Sequence, residues 1–357
     1  MTRVIEILIS LAIVAVLFLL VGIVLPSSRH QSHSVETNRK TTIVFDTLNS
    51  LNRFKEWNPL YLKDPSMKLT IGGPESGVGA KLSYESNEKR LGSGSWEITD
   101  SVPGKRVAYK IEDIEPGKNK HTVFTLSPVG QRGRNVEINQ TYDVDYGWNL
   151  IGRYAGLYVS SNVGEEMKMG LSRLSNMLAT VPNFDYAEIS KDDPSQAPKM
   201  ADLPAENVLA LSAAVPRGNE EVKKQMNINL EWIKKVMEAN NLEAAGPVRI
   251  VTNELGSENY SFDVVQPVKK KGDTAAPAKL DVTLSNNVTY AFNEPRKVAT
   301  MAFTGHMANL PRIRDALRAW SLTRGHETVD RPYETWKGGI EAGFSETGTY
   351  DLYWNVK

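Results

Sequence analysis

The chain has 357 residues, about two domains' worth at roughly 150 residues each. Hydrophobic residues make up 41% and charged residues 24%, which excludes a disordered or collagen-like chain. Lys+Arg and Asp+Glu are both 42, so there is no basic excess of the kind a nucleic-acid surface carries, and no nucleic-acid partner is expected. Cysteine is absent, which removes disulfides, thiolate-ligated zinc, iron–sulfur clusters and cysteine nucleophiles together without fixing the compartment.

Ile7 to Leu25 form a run of 19 residues without a charge, broken only by Ser10 and Gly22 among large apolar side chains. At 1.5 Å per residue this spans about 28 Å, one hydrocarbon core. A cleaved signal peptide would have a shorter apolar region and small residues at a cleavage site. The run instead ends in Leu25-Pro26-Ser27-Ser28, so residues 1–28 are read as an uncleaved single-pass anchor whose partner is the lipid bilayer. Arg3 before the span and Arg29, Arg39 and Lys40 after it give a charge bias that is weak and slightly contrary to a cytoplasmic N-terminus. For a bacterial protein the reading adopted is the inner membrane, with the C-terminal body in the periplasm.

Residues 36–180 read as a first domain. Short runs of strand character fall at 41–45, 67–71, 80–84, 96–99, 106–111, 122–126 and 135–142, many separated by Gly or Pro, as in an antiparallel meander. Met167, Leu171, Leu174 and Leu178 then share one helix face, and Pro182 stops the helix. A curved antiparallel sheet closed by one long helix is a two-layer α+β unit, and curling of the sheet would open a cavity between the layers. Phe54-Lys55-Glu56-Trp57-Asn58-Pro59, Gly73-Pro74-Glu75-Ser76-Gly77-Val78-Gly79-Ala80, Gly92-Ser93-Gly94-Ser95 and Tyr146-Gly147-Trp148-Asn149-Leu150 punctuate this stretch. With those motifs the domain resembles the START-like superfamily, in the SRPBCC or polyketide cyclase-like branch. The resemblance implies a helix-grip fold with a deep apolar cavity for lipids, sterols or polyketides, and it carries over no catalytic residue. Trp57, Trp96 and Trp148 are candidates for lining that cavity; ordinary packing is the alternative.

Residues 181–206 hold four prolines and no apolar periodicity, and read as a linker. Residues 207–357 read as a duplication, with repeat units at about 207–268 and 296–357. Trp232 and Trp320, Asp263 and Asp351, and Val268 and Val356 are each 88 apart, while Gly246-Pro247 answers Arg331-Pro332 at 85. Each copy reads strand, helix, strand, strand. On the helix followed by Gly246-Pro247, on Gln266-Pro267-Val268-Lys269 and on Gly305-His306-Met307, this half resembles the gyrase-inhibitor-like fold, the effector-binding domain of AraC-type regulators. The resemblance implies a pseudo-twofold pair with a cleft for flat, hydrophobic, often cationic molecules. In its final strands the pattern's acid and aromatics match Asp351 and Tyr353, with Trp336 after the turn. Residues two apart on a strand share a face, which groups Asp351 with Tyr353 and Glu334 with Trp336. Tyr333, Glu334, Trp336, Asp351 and Tyr353 are therefore the candidates for holding a cationic aromatic ligand, with exposed acids and packed aromatics as the alternative. No DNA-binding segment accompanies them.

The five histidines show no second pair of ligands near His30 and His33, so no metal and no cofactor is expected. No nucleophile elbow or phosphate loop occurs, and no catalytic residue is assigned. The function expected is a membrane-anchored binder of a small hydrophobic ligand, acting in sensing, sequestration or transfer. The alternative is a cyclase or hydrolase that uses a cavity carboxylate such as Glu334 or Asp351.

Overall fold

A computed structural model describes residues 2–357, and the chain divides between Val181 and Pro182 into two units. The fold is α+β: one apolar N-terminal helix and two antiparallel sheets, each with its own helices.

The first unit opens with α1 (Thr2–Val24), whose 23 residues make a rod about 34 Å long. Its large apolar side chains from Val4 to Val24 are exposed, and among its described residues only Gly22 near its end is buried. After it come β1 (Ser28–Thr37) and three helices, α2 (Thr41–Leu48), α3 (Phe54–Trp57) and α4 (Leu60–Lys63). Six strands follow: β2 (Lys68–Gly72), β3 (Lys81–Glu85), β4 (Ser93–Val102), β5 (Arg106–Glu112), β6 (Lys118–Val129) and β7 (Asn135–Asp145). The short α5 (Leu150–Ala155) and the long α6 (Val159–Ala179) close the unit. The sheet runs β1-β7-β6-β5-β4-β3-β2, a meander to which the first strand returns beside the last. Along β7 buried and half-buried residues alternate without a break, so one face of the sheet is committed to the interior. That interior receives Met167, Leu171, Leu174 and Leu178, the helix face predicted for α6.

Two expectations fail here. The β-branched run at 41–45 is helical: Ile43, Val44, Thr47 and Leu48 are buried with helical spacing, and Thr47 returns its hydroxyl to the Ile43 carbonyl. A run of five apolar residues cannot distinguish the two structures by itself. Conversely, residues 28–35, placed before the expected start of the first domain at 36, are most of β1, paired with β7 from Ser28 opposite Asp145 to Thr37 opposite Val136. Their polar sequence, Ser-Arg-His-Gln-Ser-His-Ser, gives no apolar alternation because this edge strand is held by backbone hydrogen bonds. His30 thus lies on the sheet, 2.7 Å from Asp143.

The second unit begins inside the stretch read as a linker. There α7 (Tyr186–Ile189) buries Tyr186, whose hydroxyl lies 3.3 Å from that of Thr323, and β8 (Lys199–Leu203) is a strand of the sheet. The four prolines, Pro182, Pro194, Pro198 and Pro204, all lie outside this edge strand, so none removes a ladder hydrogen bond from it. The remaining elements are β9 (Glu206–Pro216), α8 (Asn219–Ala239), β10 (Leu242–Ala244), β11 (Arg249–Leu255), β12 (Asn259–Lys270), β13 (Thr289–Asn293), β14 (Arg296–Thr304), α9 (Leu310–Thr323), β15 (Thr328–Trp336), α10 (Gly339–Gly343) and β16 (Thr349–Val356). The sheet path is β13-β9-β12-β11-β15-β16-β14-β8, with β10 beside β12.

This order is a palindrome of two repeats. Strands β9, β12 and β11 on one side answer β14, β16 and β15 on the other, with β11 against β15 at the pseudo-dyad. The outer strands are exchanged: β8 precedes the first repeat but pairs with β14 of the second, and β13 precedes the second but pairs with β9 of the first. Their registers match, since Val208 faces Ala291 as Val298 faces Ala201, positions 90 apart. Only residues 204–205 and 294–295 join the exchanged arms to their own repeats, so the sheet must curl to bring its ends together. The ladders also amend one repeat offset. Val251 faces Asp263 and Thr335 faces Asp351, which sets β11 and β15 84 apart rather than 85. Bulges at Thr252/Glu254 and Val329/Tyr333 absorb the difference.

Candidate functional site

Between the sheet and α6 of the first unit lies a cavity of about 410 Å³, within the size range of small-molecule sites. Two of its lining rings, Trp57 and Trp96, belong to a closed circuit of five aromatic rings: Phe54 to Trp57, Trp57 to Phe124, Phe124 to Tyr109, Tyr109 to Trp96, and Trp96 back to Phe54. Every contact is edge-to-face, with centroids 5.1 to 5.8 Å apart. Such contacts hold rings in fixed orientation. The circuit is pinned because the buried Tyr109 hydroxyl donates to the Leu48 carbonyl at the end of α2.

The walls add Tyr84, Tyr142, Tyr146 and Tyr158, with Val163, Met167 and Gly170 from α6. Gly94 has no side chain where a Cβ would stand 2.5 Å from the Tyr84 hydroxyl, which is how that ring fits beside β4. A few polar groups face the same space. Gln140 donates to the Thr122 hydroxyl, which donates to the Thr141 carbonyl, so this pair is largely satisfied internally. At the rim Lys63 and Glu166 form an ion pair of 2.7 Å between half-exposed side chains. Asp113 is held by the buried Lys120, which also donates to the Glu115 carbonyl. Burial, together with the charges of Asp113 and Glu115, pushes the Tyr84 phenol up to about 12, and burial raises Tyr142 and Tyr146 as well. These phenols are neutral at physiological pH, and the cavity offers aromatic surface and uncharged hydroxyls.

Trp148 is not in the cavity. It is 82% exposed, and the Arg153 guanidinium lies 5.4 Å from its ring. The four tyrosines were not singled out from sequence, since they sit on separate strands and loops with no common spacing.

The five candidates of the second unit fall on two opposite faces. Glu334 and Trp336 face the helices. Glu334 is fully buried and takes both arms of Arg314 from α9, at 2.5 and 2.9 Å. Trp336 is 1% exposed, packed edge-on against Tyr350 and over Gly343 of α10. Tyr333, Asp351 and Tyr353 lie on the other face. Tyr353 stacks on Tyr333 at 5.1 Å, and Asp351 is paired with Lys337 at 2.7 Å. The two groupings expected from alternation, Asp351 with Tyr353 and Glu334 with Trp336, thus lie on opposite faces of the sheet. Each acid already holds a cation of the chain.

The open face is occupied at the dyad by the protein's own charges. Glu206 accepts Arg249 in a two-armed pair of 2.7 Å bonds and Arg296 at 2.6 Å. The Arg249 guanidinium also lies 5.4 Å from the Tyr333 ring, and Arg296 donates to the Tyr333 hydroxyl. Glu206 and Arg296 are equivalent positions of the two repeats, as are Arg249 and Tyr333. The copies have diverged into complementary partners across the axis. Burial would raise the Glu206 carboxyl, but the two arginines outweigh it and hold it at about 2. Among the described residues no group of three or more His, Asp or Glu is placed to hold a metal ion.

No family model matches the sequence, and neither does any curated protein sequence. Solved structures that resemble parts of the chain include the EcmrR C-terminal domain, with 16% identity over 45% of this chain and 96% of that one and a TM-score of 0.36. Norcoclaurine synthase from Thalictrum flavum, in complex with dopamine and hydroxybenzaldehyde, shows 12% identity over 44% and 90% at 0.33. Protein CV1439 from Chromobacterium violaceum shows 13% over 43% and 97% at 0.31.

Proposed function

We propose that the protein is a single-pass, membrane-anchored binder of small hydrophobic molecules whose ligand occupies the first unit's cavity. In this reading the first unit is a START-like cup, the second a gyrase-inhibitor-like module, and α1 the anchor. The body stands in the periplasm of a bacterial cell and serves sensing, sequestration or transfer. The observation that carries it is the cavity of about 410 Å³ lined by Trp57, Trp96, Tyr84, Tyr142, Tyr146 and Tyr158. The second unit has a different part. Its dyad holds Arg249 and Arg296 where a cationic guest would need to sit, which argues against the cationic ligand inferred from Asp351 and Tyr353. The enzymatic alternative loses Glu334, which is sealed beneath α9 by Arg314.

The test uses the full chain in detergent and a fluorescent apolar probe, 1-N-phenylnaphthylamine. Saturable binding is expected, together with roughly a tenfold loss of affinity in Val163→Trp, which fills the cavity from α6. Absence of saturable binding, or equal affinity in Val163→Trp, refutes the cavity as the site.

A further inference from the structure

Four large apolar or aromatic residues around α5 are exposed: Trp148 at 82%, Ile151 at 71%, Leu157 at 51% and Tyr158 at 64%. They occupy one short stretch, from the turn before α5 to the 3-10 turn Gly156–Tyr158 after it. A cluster of this kind on a protein surface marks an interaction site.

The same stretch is fastened to the end of α1. The Tyr154 ring stacks on Phe18 at 4.3 Å, nearly parallel, and its hydroxyl donates to the Phe18 carbonyl at 2.7 Å. Arg153 donates through Nη1 to the carbonyls of Ile23 at 2.8 Å and Leu25 at 3.1 Å, groups that lack partners at a helix end. Gly22 lets Leu150 and Tyr154 approach, since a Cβ there would stand 3.2 and 3.3 Å from them. From Phe18 to Val24 the helix rises about 9 Å. On the reading that α1 spans the bilayer, Tyr154 therefore reaches that far below the end of the span. The outward side of α5 is then presented to headgroups and upper acyl chains. Trp and Tyr at this level, with Ile and Leu beside them, are the composition of a membrane interface.

The patch also borders the cavity: Tyr158 and Ala155 belong to its lining, as does Ile114, itself 52% exposed. We propose that α5 and the turn after it form an interfacial membrane-docking element that seats the edge of the cavity on the bilayer, so that apolar ligands exchange with lipid directly.

The absence of native cysteine permits a clean test on the full chain in vesicles of phosphatidylcholine and phosphatidylglycerol. Single nitroxide labels are placed through Leu11→Cys in α1, Ile151→Cys, Leu157→Cys, and Ile71→Cys on β2 as an exposed reference. Collision with oxygen is compared with collision with a water-soluble nickel chelate. Labels at 151 and 157 should show nickel accessibility roughly tenfold below that at 71, approaching the label at 11. Nickel accessibility at 151 and 157 equal to that at 71, with 11 still protected, overturns the docking element and leaves the anchor standing. A label at 11 open to nickel overturns the anchor, and the docking element with it.

Discussion

Glu206 lies where a duplicated fold brings equivalent positions together, and its environment makes a pH prediction. Its carboxyl falls from an ordinary 4.5 to about 2, so folding favours the ionised form. The stabilisation is fully present above about pH 4.5 and disappears as pH drops through 2. Denaturant titrations of wild type and Glu206→Gln should differ by about 1–2 kcal/mol at pH 5–7, allowing for screening. That difference should shrink towards zero near pH 2; a gap independent of pH would contradict the assignment. Arg314 makes the complementary case. Removing it strands the buried Glu334, so Arg314→Met should cost roughly 3–5 kcal/mol. Adding Glu334→Leu should restore most of the loss, because an apolar pair needs no compensation there.

At the level of elements, α5 is seated by glycine rather than by shape alone. Gly152 and Gly156, one helical turn apart, lie against the Tyr146 ring, where a Cβ at either position would come within 2.8 Å of it. Gly156→Val should push Tyr146 from its place in the cavity wall. The expected result is a loss of about 1–3 kcal/mol in thermal denaturation and weaker probe binding; unchanged probe affinity would show that Tyr146 is not part of the site. The elements that were legible in sequence are those with strong periodicity, α6, α8 and α9, and the strands rich in β-branched residues. Of those missed, β1 and β8 carry no such signal, while β13 has Tyr290 and Phe292 in a run of only five residues. The polar β1 and the short arms β8 and β13 are strands only because a neighbouring edge accepts their backbone groups.

For the whole molecule, each unit has its own sheet, helices and buried core. Calorimetry should resolve two transitions, and Arg314→Met should lower only one of them. A single transition shifted as a whole by that substitution would show that the units unfold together.

The sequence by itself determined the apolar N-terminal helix, the α+β character of both units and the duplication at 88 residues, because each is written in local periodicity or in repeated spacing. It named Trp57, Trp96 and Trp148 together, and only the structure separates the exposed Trp148 from the two rings that line the cavity. Tertiary structure decided the rest. Pairing of β15 with β16, which sets Glu334 opposite Leu352 and Thr335 opposite Asp351, put Glu334 on one face and Asp351 on the other, and curling of the second sheet drew Glu206 to Arg296 across 90 residues. The tyrosines of the cavity meet only because a seven-strand register and the path of α6 bring distant positions to one point, and no local pattern records such a meeting.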